Sequence, residues 1–321
     1  MLGKVPADDL RDVVFDRLGA DSDAVVQGPA YGEDAAALRI GERTLIVSTD
    51  PISLAAERVG TIGVPVACND VAASGADPAW LTVVVFVPGD RPATLDEVTE
   101  QLDAAAREAG VAVVGGHSEY SDALDRPTLA LTCMGVAEAF VPTGGARPDD
   151  AILLTTGAAI EATAILATDF RDAATGTVPD DLLDAGADFF DDLSVIPEAR
   201  ILRAYATAMH DPTEGGLIDG LLELAAASGV TVDVERSAVP VREPTRALCD
   251  ALAVDPLATF GSGALVATVP DDVVDDALAD LDAAGVDAAR IGTVREGEGT
   301  LELDGETVRE PIRDELYALW E

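Results

Sequence analysis

The chain has 321 residues, long enough for two ordinary domains, and its 48% hydrophobic content allows substantial cores, built mainly from Ala and Val because aromatic residues are only 4%. Against 20 basic residues stand 60 acidic ones, a formal net charge of −40; such a surface is hydrated and self-repelling, suits a high-salt cytoplasm, and argues against nucleic acid as a partner, since phosphate-backbone binding needs clustered Lys and Arg. Cys68, Cys133 and Cys249 form no CxxC pair, Met1 to Val14 lacks an apolar signal region, and the longest apolar run, Leu81 to Val87, is too short to span a bilayer, so a cytoplasmic protein with reduced thiols and no membrane segment is expected.

Pro6 to Leu18 reads as a capped amphipathic helix with Val13, Val14 and Leu18 on one face. Ala35 to Ile40 and Thr44 to Ser48, separated by Gly41-Glu42, read as a hairpin. Ile62 to Ser74, rich in small residues and interrupted by Asn69-Asp70, reads as a buried helix. Trp80 to Val87, bounded by Pro78 and Pro88, fits an interior strand, and Leu95 to Ala109 a helix stopped at Gly110. Val111 to Val114 and Thr128 to Ala137 would be strands around a loop, Gly115-Gly116-His117-Ser118-Glu119.

Pro142, Gly144, Gly145 and Pro148 mark Val141 to Asp150 as the domain boundary, giving domains 1–140 and 141–321. Beyond it, Ala151 to Thr155 reads as a strand, Glu161 to Ala167 as a helix, and Asp180 to Leu193 with Ile196 to Met209 as a helical region. The glycine-rich His210 to Gly216 opens a helix over Leu217 to Ala227, and Thr231 to Val234, Ala264 to Val269 and Thr300 to Leu303 complete a second set of strands. The alternation indicates a mixed α/β or α+β fold.

The usual phosphate and nucleophile signatures are mostly absent. Lys4, the single lysine, lies outside any Walker A context, Gly261-Ser262-Gly263 precedes a strand instead of following one, and there is no Gly-x-Ser-x-Gly elbow. What remains is a set of acidic or polar residues beside glycine: Gly32-Glu33-Asp34, Ser48-Thr49-Asp50-Pro51, Asn69-Asp70, the Gly115-Gly116-His117 segment, and His210-Asp211-Pro212-Thr213-Glu214-Gly215-Gly216. Glycine lets backbone N–H groups approach phosphate oxygens, and carboxylates offer hard oxygen ligands to Mg²⁺. Asp34 and Asp50 also suit turns, whereas Asp70 interrupts an apolar helix and, if buried, must be paired or bound to a cation. His117 is a candidate catalytic group or a loop hydrogen-bonder; His210 could cap the preceding helix. Asp211 and Thr213 could cap the following helix, whose glycine-flanked N-terminus is equally an anion site.

In order, these segments resemble the superfamily of aminoimidazole ribonucleotide (AIR) synthase, thiamine-monophosphate kinase, selenophosphate synthetase and the hydrogenase-maturation protein HypE. The most specific pieces are Gly32-Glu33-Asp34-Ala35-Ala36, Ser48-Thr49-Asp50-Pro51, Asn69-Asp70-Val71-Ala72-Ala73-Ser74-Gly75-Ala76 and Met209-His210-Asp211-Pro212-Thr213-Glu214-Gly215-Gly216-Leu217, the last looking like the HypE branch, as does Gly261-Ser262-Gly263-Ala264-Leu265. The resemblance implies a two-domain PurM-like fold, with an N-terminal domain whose sheet forms a β-barrel-like dimer with its copy and a C-terminal α/β domain. It also implies ATP with Mg²⁺ in a groove between domains and subunits, activating or phosphorylating a small molecule. Carried over residue by residue, Asp34, Asp50 and Asp70 would be metal or phosphate ligands. Gly32, Thr49, Asn69, Gly115, Gly116, Thr213, Gly215 and Gly216 would line the nucleotide and substrate, and Asp70, His117 and Asp211 would take part in catalysis.

Two departures stand out: His117 follows the second glycine where relatives tend to carry an acid, and the chain ends Leu316-Tyr317-Ala318-Leu319-Trp320-Glu321, without the terminal cysteine of HypE proteins. The expectation is a homodimeric ATP-dependent enzyme, with a maturation partner protein as a further associate. The alternatives are a nucleotide-binding regulator or assembly factor without turnover, and a thiamine-monophosphate kinase.

Overall fold

The computed structural model describes residues 3–53, 58–89 and 91–321. Two compact units form, one from Asp23–Gly28 and Asp34–Phe140, the other from Val141–Glu321 together with Pro29–Glu33 and the N-terminal segment through Ser22. The sequence reading placed everything up to residue 140 in one domain. Residues at the chain start and Pro29–Glu33 group instead with the second half because their polar groups bond there, Lys4 to Glu214 and Glu33 to Gly144.

The expected helix over Pro6 to Leu18 is a short α1 (Ala7–Asp9) running into a π-helical turn, Leu10–Val14, with no buried residue in either. Val13, Val14 and Leu18 stay exposed, so the apolar face has no core beneath it.

In the first unit, strands β1 (Val25–Gln27), β2 (Ala36–Ile40), β3 (Arg43–Ile52), β4 (Asp77–Pro88), β5 (Ala112–Ser121) and β6 (Thr128–Ala137) form a sheet ordered β1-β2-β3-β6-β4-β5. The hairpin closes at Gly41-Glu42, where Ile40 pairs with Arg43 and Gly41 takes a φ of 64°. Leu129, Leu131 and Cys133 alternate with half-buried residues along β6, as the two-residue strand period requires. Their face packs on α2 (Val59–Ala73), buried along nearly its whole length, and the unit is completed by α3 (Pro92–Ala109), which buries Val98, Leu102 and Ala106 four residues apart. The apolar run in β4 is interior to the sheet but buried on one face only: Leu81, Val83, Val85 and Val87 are covered, whereas Trp80 on the other face is 41% exposed. Among the described strands β5 is the sheet edge, bonded to β4 alone, and it is exposed along Ala112–Tyr120.

The second unit holds β7 (Ala151–Thr155), α4 (Ile160–Thr168), α5 (Arg171–Ala174), α6 (Asp180–Ala187), α7 (Ile196–Leu202), β8 (Ala208–His210), α8 (Gly216–Ser228), β9 (Val230–Val234), α9 (Glu243–Leu252), β10 (Val266–Val269), α10 (Val274–Ala283), β11 (Ala288–Glu296), β12 (Thr300–Leu303), β13 (Glu306–Val308) and α11 (Tyr317–Trp320). Its sheet runs β13-β12-β9-β11-β7-β10-β8. Leu217, Leu221 and Leu224 of α8 join Ile152, Leu154, Val232, Ile291 and Leu301 in one core. The helical reading of Ile196 to Met209 fails after Leu202, because Ala208, Met209 and His210 pair with Thr268, Ala267 and Val266. β11, unrecognised in sequence because charged residues punctuate it, lies centrally between β9 and β7. The mixed α/β architecture expected from the alternation is present.

Candidate functional site

In β3, Ser48 and Asp50 are two residues apart and so share a face, the one turned to α2. Ser48 Oγ lies 3.2 Å from Asp50 Oδ2, and the same hydroxyl donates a hydrogen bond to Asp70 Oδ2 on α2. One hydroxyl carries one proton, so two carboxylates converge on a single donor. Their repulsion is the kind that a divalent cation relieves, and the two carboxylates offer the hard oxygens that Mg²⁺ takes, its shell completed by waters and substrate phosphates. Among the described residues, no group of three or more His, Cys, Asp or Glu is arranged to hold a metal by itself. Asp34, half-buried, lies two residues before Ala36, which pairs with Val47 beside this cluster. Asn69 is fully buried and Asp70 nearly so. Thr49 points to the opposite face, where its hydroxyl bonds that of Thr132 at 2.9 Å, so it is not gathered with Asp50 and Asp70.

Gly115-Gly116-His117-Ser118-Glu119 is not a loop: all five residues belong to β5, parallel to β4. The register slips between Leu81 and Thr82, opposite Val113 and Gly115, and a Cβ on Gly116 would stand 1.9 Å from the Val83 carbonyl oxygen. The second glycine, in register opposite Val83 just beyond this slip, is thus demanded by the close approach of the β4 backbone. His117 is exposed, with Nε2 3.4 Å from Glu119 Oε2. Beside this strand opens a cleft of about 400 Å³, walled by Val83, Val85, Leu102 and Val113 and edged by Thr99, Asp103 and Ser118. Apolar walls with a few polar groups are the usual lining of a small-molecule cleft.

The Gly32-Glu33-Asp34 motif divides between the units. Glu33 accepts the N–H groups of Gly144 (3.0 Å) and Thr143 (3.2 Å), while a Cβ on Gly32, whose φ is 84°, would stand 2.9 Å from the Glu223 carbonyl oxygen. Both residues therefore have structural work in the second unit, and only Asp34 belongs to the first.

In the second unit, β8 delivers Asp211 to Gly216 to the start of α8. Gly216 packs so closely that a Cβ would lie 2.4 Å from the Thr259 carbonyl oxygen, and a Cβ on Gly261 would lie 2.9 Å from that of Pro212. The helix cap is neither Asp211 nor Thr213: the N-cap residue is Gly215, and its N–H donates to Asp314 Oδ2 at 2.8 Å. Asp314 also accepts from Thr259 and from the Leu316 N–H, and Asp219 accepts from the Ile312 N–H. His210, expected as a helix cap, is instead a buried strand residue whose Nε2 lies 3.1 Å from Glu223 Oε2 on α8. Lys4 Nζ lies 3.4 Å from Glu223 Oε1, and the Lys4 backbone N–H donates to Glu214 at 2.8 Å.

The charges around this loop are strongly biased. Burial pushes Asp219 and Glu161 up to about 7, and Asp314 up to about 6 despite the N–H groups that favour its charge. Burial opposes the charge of Glu223 as well, but Lys4 and His210 outweigh it and hold that carboxyl down to about 2. Sequence reading overlooked Glu161, Asp219, Glu223 and Lys4 as site residues. The signal was available, since the three acids interrupt apolar helices as Asp70 does, and Lys4 is the single lysine. Asp314 carried no such signal.

Residues 32–137 match the model of the AIR synthase related protein N-terminal domain, and residues 147–304 that of its C-terminal domain. The carbamoyl dehydratase HypE of Azotobacter vinelandii is 33% identical over 286 residues, covering 81% of this chain and 78% of that protein. The chain belongs to the AIR synthase-related superfamily, in its HypE-like branch. Two solved structures of that branch are similar to this AIR synthase-related chain. A hydrogenase maturation protein HypE in complex with ATP matches at TM-score 0.70 and 26% identity, over 95% of this chain and 91% of that one. A HypE–HypF complex chain matches at TM-score 0.75 and 23% identity, over 95% and 99%. Among the described residues, no helix is long and apolar enough to cross a membrane.

Proposed function

We propose that this chain is a magnesium-dependent, ATP-using enzyme that activates or phosphorylates a small-molecule substrate. The observation that carries the reading is the pair of carboxylates, Asp50 and Asp70, drawn together on the Ser48 hydroxyl. Asp50 and Asp70, with Asp34 nearby in sequence register, would hold Mg²⁺, which when bound supplies the positive charge that a triphosphate needs in a chain so poor in lysine. The cleft beside Gly115, Gly116 and Ser118 would take the base, and His117 on the exposed face of the same strand is free to reach a bound ligand. Asp211 to Gly216 would face the substrate, with Thr213 and the loop amides as polar contacts. Positioning and charge neutralisation would account for most of the rate. The name carbamoyl dehydratase on a relative at 33% identity, and ATP in a HypE structure at 26%, support the reaction class.

The chain works as a homodimer through its first unit in this reading. β5 offers an unpaired sheet edge, and Trp80, Val113, Val114 and Tyr120 are apolar side chains more than two-fifths exposed. A maturation protein is a further partner, a reading supported by the solved HypE–HypF pairing. The acidic composition supports work in concentrated salt, in the cytoplasm, in this reading. Calorimetry with ATP or ADP and Mg²⁺ in molar KCl tests the core of the proposal: absence of both heat and thermal shift refutes it. Steady ADP release with a metabolite mixture, lost in Asp70→Asn, separates an enzyme from a regulator that binds without turnover. Thiamine diphosphate formed from thiamine phosphate would identify the kinase instead.

A further inference from the structure

Lys4 is the only lysine of a chain with 20 basic residues, and it meets a partner 219 positions away. Its Nζ lies 3.4 Å from Glu223 Oε1, while the other oxygen of that carboxylate, Oε2, lies 3.1 Å from His210 Nε2. His210 is 3% exposed and Glu223 7%, whereas the Lys4 side chain is 49% exposed. The series thus runs from solvent into the interior. A second bond, from the Lys4 backbone N–H to Glu214 Oε1, anchors the residue to the same loop.

A carboxylate this buried stays ionised only if it is neutralised by neighbours, and Lys4 is the cation in contact with it from outside α8 and β8. An ionised Glu223 can only accept, so His210 Nε2 must carry the proton that bonds it, which selects the ring's form and orientation. The ring is packed as well: a Cβ on Gly220 would stand 3.2 Å from His210 Cδ2. Asp219, Glu214 and Tyr31 also act on the Lys4–Glu223 neighbourhood, so the ammonium is the counterweight to several acids.

We infer that Lys4 is a positioning residue: through Glu223 it holds the His210 imidazole in a single hydrogen-bonded orientation next to Asp211, at the head of the Asp211–Gly216 segment. The inference rests on the proposed function insofar as that segment faces the substrate. It makes the N-terminal segment part of the site, although that segment precedes both family domains.

Nitrogen-15 NMR of the imidazoles in the full-length protein tests it in molar KCl, and with only two histidines His210→Gln assigns the signals. In the native chain His210 should show one form, protonated at Nε2, as its bond to Glu223 requires. Lys4→Met should give a mixture of forms, Glu223→Gln should do the same, and Lys4→Arg should restore the native pattern. In the ADP-release assay, Lys4→Met should lower kcat roughly tenfold to a hundredfold with KM for Mg-ATP unchanged, the signature of lost positioning. Native His210 signals in both Lys4→Met and Glu223→Gln overturn the inference, as does native kcat in Lys4→Met. Should Lys4→Met unfold, Glu223→Gln and Lys4→Arg decide. If the native chain releases no ADP, the proposed reaction falls while the imidazole spectra still judge the Lys4–Glu223–His210 chain.

Discussion

Replacing Ser48 by Ala removes the one hydroxyl on which Asp50 and Asp70 converge, and adds no bulk. Ser48 is 5% exposed and Asp70 7%, so water does not freely substitute for the lost donor. A buried acceptor deprived of one partner costs about 1–3 kcal/mol, and moving two carboxylates no longer separated by a donor adds to that. For a chain of this size each kcal/mol lowers Tm by roughly 2–4 °C, so a drop of about 2–12 °C is expected in thermal denaturation at fixed KCl. The neighbouring Thr49→Ser keeps an exposed hydroxyl and should stay within about 0.5 kcal/mol of the native chain. Saturating Mg-ATP should narrow the gap between Ser48→Ala and the native protein, because a bound cation would take over the neutralisation. An unchanged Tm in Ser48→Ala would show that the hydroxyl does not hold the two carboxylates, and the site reading would lose its support. A gap that Mg-ATP leaves untouched would separate the carboxylate pair from nucleotide binding.

Three further outcomes are expected. Asp219 and Glu161 near 7 and Asp314 near 6 bind protons in the folded state that the unfolded chain has already released, so stability contributed by these groups is present below about pH 4 and is lost as pH rises toward 7, by at most about 1.4 kcal/mol per pH unit per group; denaturant titrations of Asp219→Asn should show a shallower decline, and an identical slope would contradict the assignment. Gly116→Ala drives a Cβ to 1.9 Å from a backbone oxygen and should cost about 3 kcal/mol or more, whereas Gly115→Ala meets nothing nearer than 3.9 Å and should be mild; equal Tm values for the two would refute the close-approach argument. Asp314→Ala deprives the Gly215 and Leu316 N–H groups of their acceptor and should destabilise the second unit by about 1–3 kcal/mol, with Asp314→Asn losing less; hydrogen exchange at Gly215 reads this directly, and native protection in Asp314→Ala would overturn it.

Much of the architecture could be read from residue order because its signals are short-range. The hairpin at Gly41-Glu42, the Val98, Leu102, Ala106 stripe of α3 and the left-handed Gly110 that ends it, and the polar interruption at Asn69-Asp70 all follow from spacing and from glycine's conformational freedom. Reading failed where pairing decides state. Gly115 to Glu119 looks like a loop until β4 bonds it into a strand, and Ala208 to His210 continues a helical pattern until β10 claims it. The N-terminal stretch has helical spacing but buries nothing, so no packing extends α1 beyond one short turn before the π-helical segment.

What residue order determined by itself was an inventory: glycine-flanked acids, no lysine-based phosphate loop, and carboxylates interrupting apolar helices. Tertiary structure alone decided which of them meet. Ser48 and Asp70 come together across 22 positions, Asp314 and Gly215 across 99, and Lys4 and Glu223 across 219. Local propensity acts over a few residues, whereas these contacts are set by how sheets and helices pack. That is why Asp50 and Asp70 could be named beforehand, while the pairings of Lys4 with Glu223 and of Asp314 with Gly215 emerged only from the fold.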